Sequence, residues 1–569
     1  MSGQMAAAGA AADPRLSFEA DAIGSYPTRV VEKLHDPSIQ FEEYLHYATL
    51  TRAEEERLYG AHGIENGTKA SPLKVLFGKA PPESTEATVV SGEGIPSEKE
   101  IDEKHSVSTP DYKPAVTDEE WYQASRAART ATWGAVFYLI TTDILGPFSV
   151  PSGYQLWQMF MGLDSDRYPI KNYGDVAFRI YGSFARHSFN VLQSLQFFLN
   201  VAILILSNGQ ALSQLSKKKL CFIVCLLVFT IAGFLLGQIR TLQKFGYVAN
   251  AAVWMNLFII FMTMGVVAHS SPNYGAVAAS SPAVVTPAQL ASGNFTPIHK
   301  TGGSPPGLKF TDNITGLMQA VFSYGGATLF CELMAEMRHP WDFWKGLICA
   351  DLLIYVCYMM FGLFVYSYQG QYSFNPANQG INPYAWQTVG NVFSLISSLI
   401  AACMYGNIGI KVLYANVGRD LAGFPVLESH KGKIIFAAAV PIYWAVAWVA
   451  GSAIPQISNF SALVGALCIL QFTYTFPPFL ILGFRAQRDS ILPEEAFDPA
   501  TGTVTRVDSG WKRWMRGLRK TWLLNTWDFI YMLGAATTAV LGIYASIVQM
   551  KDAYESNPAQ VAFSCKPPV

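Results

Sequence analysis

Val321-Phe-Ser-Tyr-Gly-Gly-Ala-Thr-Leu-Phe-Cys-Glu332 lies inside an apolar run, 313–335, long enough to cross a lipid bilayer. A hydrocarbon core about 30 Å thick needs roughly 20 apolar residues at about 1.5 Å of rise each. Lipid offers the backbone no hydrogen-bond partner, so such a run must be helical. Yet Gly325 and Gly326 stand side by side in its middle. Each weakens a helix by roughly 1 kcal/mol relative to alanine. Two readings are open. The glycines let a neighbouring helix pack close, or the helix is broken there and its freed backbone groups line a wet cavity.

Working outward, similar runs lie near 129–150, 187–207, 219–238, 247–268, 346–367, 387–413, 433–451, 457–483 and 526–548. With 313–335 they make ten full spans. A shorter apolar piece, 152–163 (SGYQLWQMFMGL), cannot cross alone. Nothing alternates as barrel strands would. The expected fold is an all-α integral membrane bundle of ten full transmembrane helices plus one partial. Composition agrees. Hydrophobic residues make up 51% and charged residues 14%, against about 25% charged in a soluble protein. That excludes a disordered chain, a coiled coil and an ordinary soluble enzyme.

The formal net charge of −1 conceals an asymmetry. Residues 1–120 hold 22 of the 41 acids and 11 of the 40 Lys and Arg, which leaves the rest at a formal +10. The reading is an acidic, largely disordered cytoplasmic segment, 1–120, a membrane domain, 121–550, and a short tail, 551–569. Within the segment, Phe41 to Ala48 forms a short amphipathic helix, with Phe41, Tyr44, Leu45 and Ala48 on one face. Thr51 caps a second helix, with Glu54 three residues on. This stretch docks on the body or acts as a regulatory latch. Residues 80–118 are rich in Pro, Ser, Thr and Glu and read as linker. The first 20 residues lack the pattern of a cleaved signal peptide. Seven of the eight cysteines fall in apolar runs, where they act as small hydrophobes rather than as a disulfide framework.

Connections 239–246, 336–345, 414–432 and 484–525 are basic, whereas 368–386 and 452–456 have no Lys or Arg. The basic set is therefore cytoplasmic. Asn294-Phe295-Thr296 then falls in an outside loop, as a glycosylation acceptor must. Lys217, Lys218 and Lys219 fall outside by parity and are the exception. The basic excess follows the membrane topology and needs no nucleic acid.

A second interruption is Thr141-Thr-Asp-Ile-Leu-Gly-Pro-Phe-Ser-Val-Pro151. Pro147 and Pro151 each remove a backbone donor and Gly146 permits a turn. Either this is a proline kink, or it makes a half-helix pair whose ends hold the two charges of a zwitterion. Two interrupted spans in corresponding halves point to a transporter binding site. Ionisable residues within spans are Asp143, Glu332, Asp351 and Asp528. Asp143, beside the first interruption, is the candidate proton-coupling group. Glu332 reads as packing or gating, and Asp351 and Asp528 as snorkelling to the interface. No motif for a metal, an organic cofactor or catalysis is present.

Phe322-Ser-Tyr-Gly-Gly326, then Glu332-Leu-Met-Ala-Glu-Met-Arg-His-Pro340, resembles the sixth-span signature of the amino acid/auxin permease family. Lys411-Val-Leu-Tyr414 and the Ile144-Leu-Gly…Pro151 stretch fit the same pattern over about 120–550, and the acidic tail is similar to that of fungal members. The family consists of secondary amino acid transporters, usually proton-coupled and sometimes sodium-coupled. They have eleven spans and a five-plus-five inverted repeat of the leucine-transporter type. The resemblance implies a substrate carboxylate near the N–H groups after Gly146. It places the ammonium near the carbonyls of Thr141, Thr142, Asp143, Ile144 and Leu145 and of Phe322, Ser323 and Tyr324, with Gly325 and Gly326 completing the site. The resulting expectation is a proton-driven amino acid symporter of the plasma membrane rather than the vacuole. The competing reading is a non-transporting amino acid sensor whose acidic tail binds a cytosolic partner. One further expectation concerns the count. The 167–186 loop and the flank before 130 are both cytoplasmic by charge, so an even number of crossings must separate them. Residues 127–163 are too few for two. Either a crossing is missing near Pro151 and Ser152, or this stretch is a thin helical hairpin, or the tail lies outside.

Overall fold

The computed structural model describes residues 35–65, 131–142, 149–238, 245–280, 284–304, 307–414, 418, 423–425, 427, 429–499, 501–556 and 562–566. The chain divides into two compact units. Of the first, residues 1–30 and 54–128, only 54–65 are described; they form the distal part of helix α1 (Phe41–Glu65), where Arg57 pairs with Glu54 at 2.7 Å. The second unit, residues 31–53 and 129–569, carries the membrane bundle.

After α1 the helices are α2 (Trp133–Thr142), α3 (Ser149–Leu163), α4 (Tyr173–Tyr181), α5 (Ser183–Leu215), α6 (Phe222–Leu236) and α7 (Phe245–His269). Then come two short loop helices, α8 (Tyr274–Ser280) and α9 (Pro287–Ser292), followed by α10 (Phe310–Tyr324), α11 (Phe330–Glu336), α12 (Phe343–Gln369), α13 (Tyr384–Leu413) and α14 (His430–Ala453). The chain ends with α15 (Ile457–Val464), α16 (Phe476–Arg488), a small antiparallel pair β1 (Phe497–Asp498) and β2 (Thr503–Val504), α17 (Trp511–Lys520) and α18 (Trp522–Ser556).

Eight helical segments among the described residues are long and apolar enough to span a membrane, against the ten expected. They carry exposed apolar side chains that water would reject, such as Leu352, Val356 and Leu363 on α12 and Ile442 and Val446 on α14. Such faces belong in hydrocarbon. Of the two runs that fall short, 219–238 yields only the 15-residue α6. It starts beside Cys221, which is disulfide-bonded to Cys565, and Phe222 N–H donates to the Cys565 carbonyl at 2.9 Å. Cys221 is thus a crosslink, not the small hydrophobe expected.

The other is the first run, 129–150. It is not one crossing but the start of a hairpin. The Ala131 N–H donates to the Glu336 carbonyl and the Arg338 N–H to the Ala131 carbonyl, both at 3.0 Å. A methyl group on Gly346 would meet the Trp133 carbonyl at 3.0 Å, so α2 climbs alongside α12. Helix α3 comes back down. Ser149 Oγ donates to Asp351 at 2.9 Å, Gly153 lies against Leu347, and Trp157 Nε1 donates to the Pro340 carbonyl at 3.1 Å. Both outer ends of the hairpin therefore lie level with residues 337–340. The two helices are about 15 and 22 Å long, too short to cross. Pro151 ends no helix. It falls in the first turn of α3, where its missing N–H costs nothing.

After the hairpin, α4 is capped by Asn172 and Asp175, each side chain taking the other's backbone N–H. Gly182, at φ 85°, turns the chain sharply into α5. The 33-residue α5 and 30-residue α13 make the most extensive helix contact in the bundle. A membrane-length α12 precedes α13, but among the described residues no helix of membrane-spanning length and hydropathy precedes α5.

Helix α1 is continuous through Thr51, so Thr51 is no cap. Ala-Thr-Leu-Thr has no residue that stops a helix, and Thr51 Oγ1 instead accepts the Asp166 N–H. Phe41, Tyr44 and Ala48 are buried as one face and Leu45 is half-buried. Glu42 is buried between Arg506 and Arg513, Arg52 holds Asp164 at 2.9 Å, and His35 holds Asp175 at 2.8 Å.

Candidate functional site

The glycine pair does break its helix. Helix α10 ends at Tyr324, Gly325 and Gly326 are non-helical, and a single 3-10 turn, Ala327–Leu329, leads into α11. The packing reading holds as well, because a methyl group on Gly325 would lie 2.1 Å from Ile469 Cγ2. Break and close approach are the same feature.

The helix that approaches is itself distorted. Between α15 and α16 it widens into two π segments, Gly465–Ile469 and Gln471–Thr475. Pro477 and Pro478 follow and supply no N–H, so carbonyls one turn earlier lose their partners. Side chains from outside take them up: Ser152 Oγ donates to the Thr473 carbonyl and Tyr173 Oη to the Phe472 carbonyl. Broken helices and π-bulges are both enriched at functional sites.

Between these elements lies a cavity of about 410 Å³. Phe322, Ser323, Gly325, Gly326 and Thr328 form one wall. Gln196, Asn200 and Ser207 of α5 form another, with Tyr405 and Ser397 of α13, Ser461 of α15 and Tyr358 of α12. Among the described residues that line it, none is Asp, Glu, Lys, Arg or His. A mostly apolar pocket of this size with a few convergent polar groups suits a small ligand.

Four of the expected site residues, Phe322, Ser323, Gly325 and Gly326, line this cavity. Tyr324 does not; its carbonyl accepts from Tyr474 Oη at 3.4 Å. At the first interruption, Thr141 Oγ1 turns back to the Phe137 carbonyl at 2.6 Å. Thr142 ends α2, and Asp143, Ile144, Leu145 and Gly146 lie outside the described residues. The helices that flank this interruption, α2 and α3, form the hairpin described above. Asn294 is exposed, just after Gly293 ends α9.

Two carboxyls expected to snorkel are buried. Asp351 takes both Ser149 bonds, and Asp528 holds Arg485 at 2.6 Å and Gln155 at 2.9 Å. Sequence reasoning also passed over Gln193, Gln196, Asn200 and Ser207. They recur three, four and seven positions apart on a membrane-length helix, and that polar stripe is the signal that exposes them.

The sequence profile of the family described as "Transmembrane amino acid transporter protein" matches residues 128–490. This chain belongs to that family. It is a multi-pass membrane protein of a transporter family, not of an enzyme family. Among curated relatives, a "Transmembrane transporter" of Fusarium pseudograminearum is 21% identical over 358 residues, covering 62% of this chain and 65% of its own length. One of Gibberella moniliformis is 22% identical, covering 51% and 58%. An "N amino acid transport system protein" of Neurospora crassa is 21% identical, covering 46% and 49%. The chain thus spans about half to two thirds of the length of these relatives.

Proposed function

We propose that the chain is a secondary active transporter that carries neutral amino acids through the cavity at the Gly325–Gly326 break, by alternating access, in symport with protons at the plasma membrane. The observation that carries this is a cavity whose described lining bears no charged side chain, walled by an unwound helix. A zwitterion has two charges and no net charge, so a fixed ion in the wall would leave one of its charges opposed. Backbone groups freed by a break, with amides such as Gln196 and Asn200, can meet both. Side chains bearing a further charge would be desolvated without a partner, which argues for neutral substrates. Family membership and the fungal amino acid transport relative support the substrate class. Asp143 remains the proton-coupling candidate from the sequence. The Cys221–Cys565 disulfide supports the proposed topology, because disulfides persist in oxidising, extracytoplasmic surroundings and both residues fall on that side in this reading.

The test is reconstitution and uptake. Labelled neutral amino acids should accumulate under an acid-outside gradient and collapse with a protonophore. Asp143→Asn keeps volume and hydrogen-bonding capacity but cannot cycle a proton, so it should lose accumulation. Failure of all neutral amino acids under both a proton and a sodium gradient overturns the transport reading. Accumulation under sodium alone overturns the proton.

A further inference from the structure

We propose that Glu332 is a proton-binding site of the transport cycle, linked to the substrate cavity through Gln193 and Thr328; this rests on the proton-symport reading above. Glu332 lies in the first turn of α11, which follows the break after a single 3-10 turn. Its Oε1 accepts from Gln193 Nε2 at 2.7 Å, and the same nitrogen donates to the Thr328 carbonyl at 3.0 Å. Thr328 lines the cavity, and its hydroxyl donates at 2.9 Å to Gln196 Oε1, also in the cavity wall. The carboxyl is therefore one side chain away from the substrate space.

The other oxygen is the informative one. Glu332 Oε2 is buried with no hydrogen-bond partner, and Gln193 Oε1 beside it is likewise buried and unpartnered. An ionised carboxylate offers about four acceptor sites; here the Gln193 amide is the side-chain donor bonded to it, with the backbone N–H groups of Glu332 itself and of Tyr173 adding weaker support. Among the described residues no Lys, Arg or His acts on this carboxyl; the charged group that does is Asp175 of α4, a like charge. Asp175 is itself held by His35 at 2.8 Å and lies 4.0 Å from Arg186 of α5. Tyr173 of α4 and Cys331 of α11 are the other titratable neighbours, and α3, which also packs on α11, has no acidic or basic residue.

Such a carboxyl is stable as the neutral acid while the site is closed and as the anion once water reaches it. Movement of α11 about the Gly325–Gly326 break changes that access, so the conformational cycle and the proton equilibrium drive each other. In each turnover a proton from water of the outward-open cavity bonds to the carboxylate. It leaves to cytoplasmic water when the inward-open state hydrates the site. The carboxyl is regenerated and no other reactant is needed.

The experiment uses the full chain in liposomes and two readouts: exchange of a labelled neutral amino acid without a proton gradient, and accumulation under an acid-outside gradient. Glu332→Gln should exchange at a rate close to wild type, lose accumulation by more than about tenfold and show flat dependence on external pH. Glu332→Asp, which keeps an acid, should restore pH-dependent accumulation. Accumulation by Glu332→Gln with the wild-type pH profile overturns the proposal. So does parallel loss of exchange and accumulation, which marks a structural residue. Absence of exchange in the wild type overturns the transport reading itself, and with it this one.

Discussion

Asp528 pairs with Arg485 and Gln155 where α16 meets α18, and both ions are buried. Removing one partner leaves an uncompensated charge in low dielectric. Arg485→Ala or Asp528→Ala should lose about 3–5 kcal/mol, read as lowered thermal stability in detergent. The double replacement by apolar residues should be milder than either single change. Equal stability of the single variants and wild type would show the pair to be hydrated.

Asp175 is buried at the start of α4. Burial alone would raise its pKa, but the His35 hydrogen bond and charge, the Lys171 N–H and Arg179 outweigh it and hold the carboxyl at about 2. Glu495, buried against Arg513, is held at about 2 in the same way. An unfolded carboxyl titrates near 4. A depressed pKa contributes stability that is present above that value and lost as pH falls toward the folded one. Docking of residues 35–53 should therefore weaken between about pH 4 and pH 2, seen as new pepsin cleavage there. An acid profile unaltered by Asp175→Asn with Glu495→Gln would contradict this.

At the scale of elements, the break at Gly325–Gly326 and the π-widened α15–α16 helix are fitted to each other. Gly325→Ala forces a methyl group into Ile469 and against the Val321 carbonyl at 3.0 Å. Overpacking of this kind costs about 1–3 kcal/mol, and uptake should fall while the protein still reaches the membrane. Ile469→Ala in the same chain should recover part of it, because the two residues are in contact. Uptake by Gly325→Ala at the wild-type rate would mean that the break moves freely of α15. The hairpin makes the opposite point about local signals. In the sequence, Gly146 and Pro147 signal an interruption, but not whether the next helix continues onward or reverses. Contacts of α2 and α3 with α12 decide that.

For the whole molecule, Cys221–Cys565 ties the start of α6 to the C-terminal segment across 344 residues. Its loss should cost about 2–4 kcal/mol. Cys565→Ser, or reduction of the wild type, should lower thermal stability and change mobility on a non-reducing gel. No change in either would argue that the bond does not form. The hairpin also bears on the chain count. Two crossings need about 40 residues, yet α2 has 10 and α3 has 15. Together with the missing counterpart of α12 ahead of α5, this supports a crossing lost near Pro151 and Ser152. A longer transcript inserting roughly 25–35 codons there is the expected finding. An uninterrupted transcript, with a tag at residue 1 reached from outside intact cells, would refute it.

Apolar run length and Lys/Arg bias were enough to indicate a helical membrane bundle, the Phe322–Pro340 motifs pointed to its family, and the glycine pair marked Gly325–Gly326 as either a break or a close approach. Those signals are local: a bilayer imposes length and helicity on each span separately, and two adjacent glycines weaken a helix wherever they stand. The partners of Asp351 and Asp528 were not legible, because Ser149 and Arg485 lie far from them in the chain. Nor was the α5 wall of the cavity, since a polar stripe in one span acquires meaning only when α10, α13 and α15 close around it. The same holds for the Cys221–Cys565 bond and for the reversal between α2 and α3. Each depends on which long-range surfaces meet, and only the packed tertiary structure decides that.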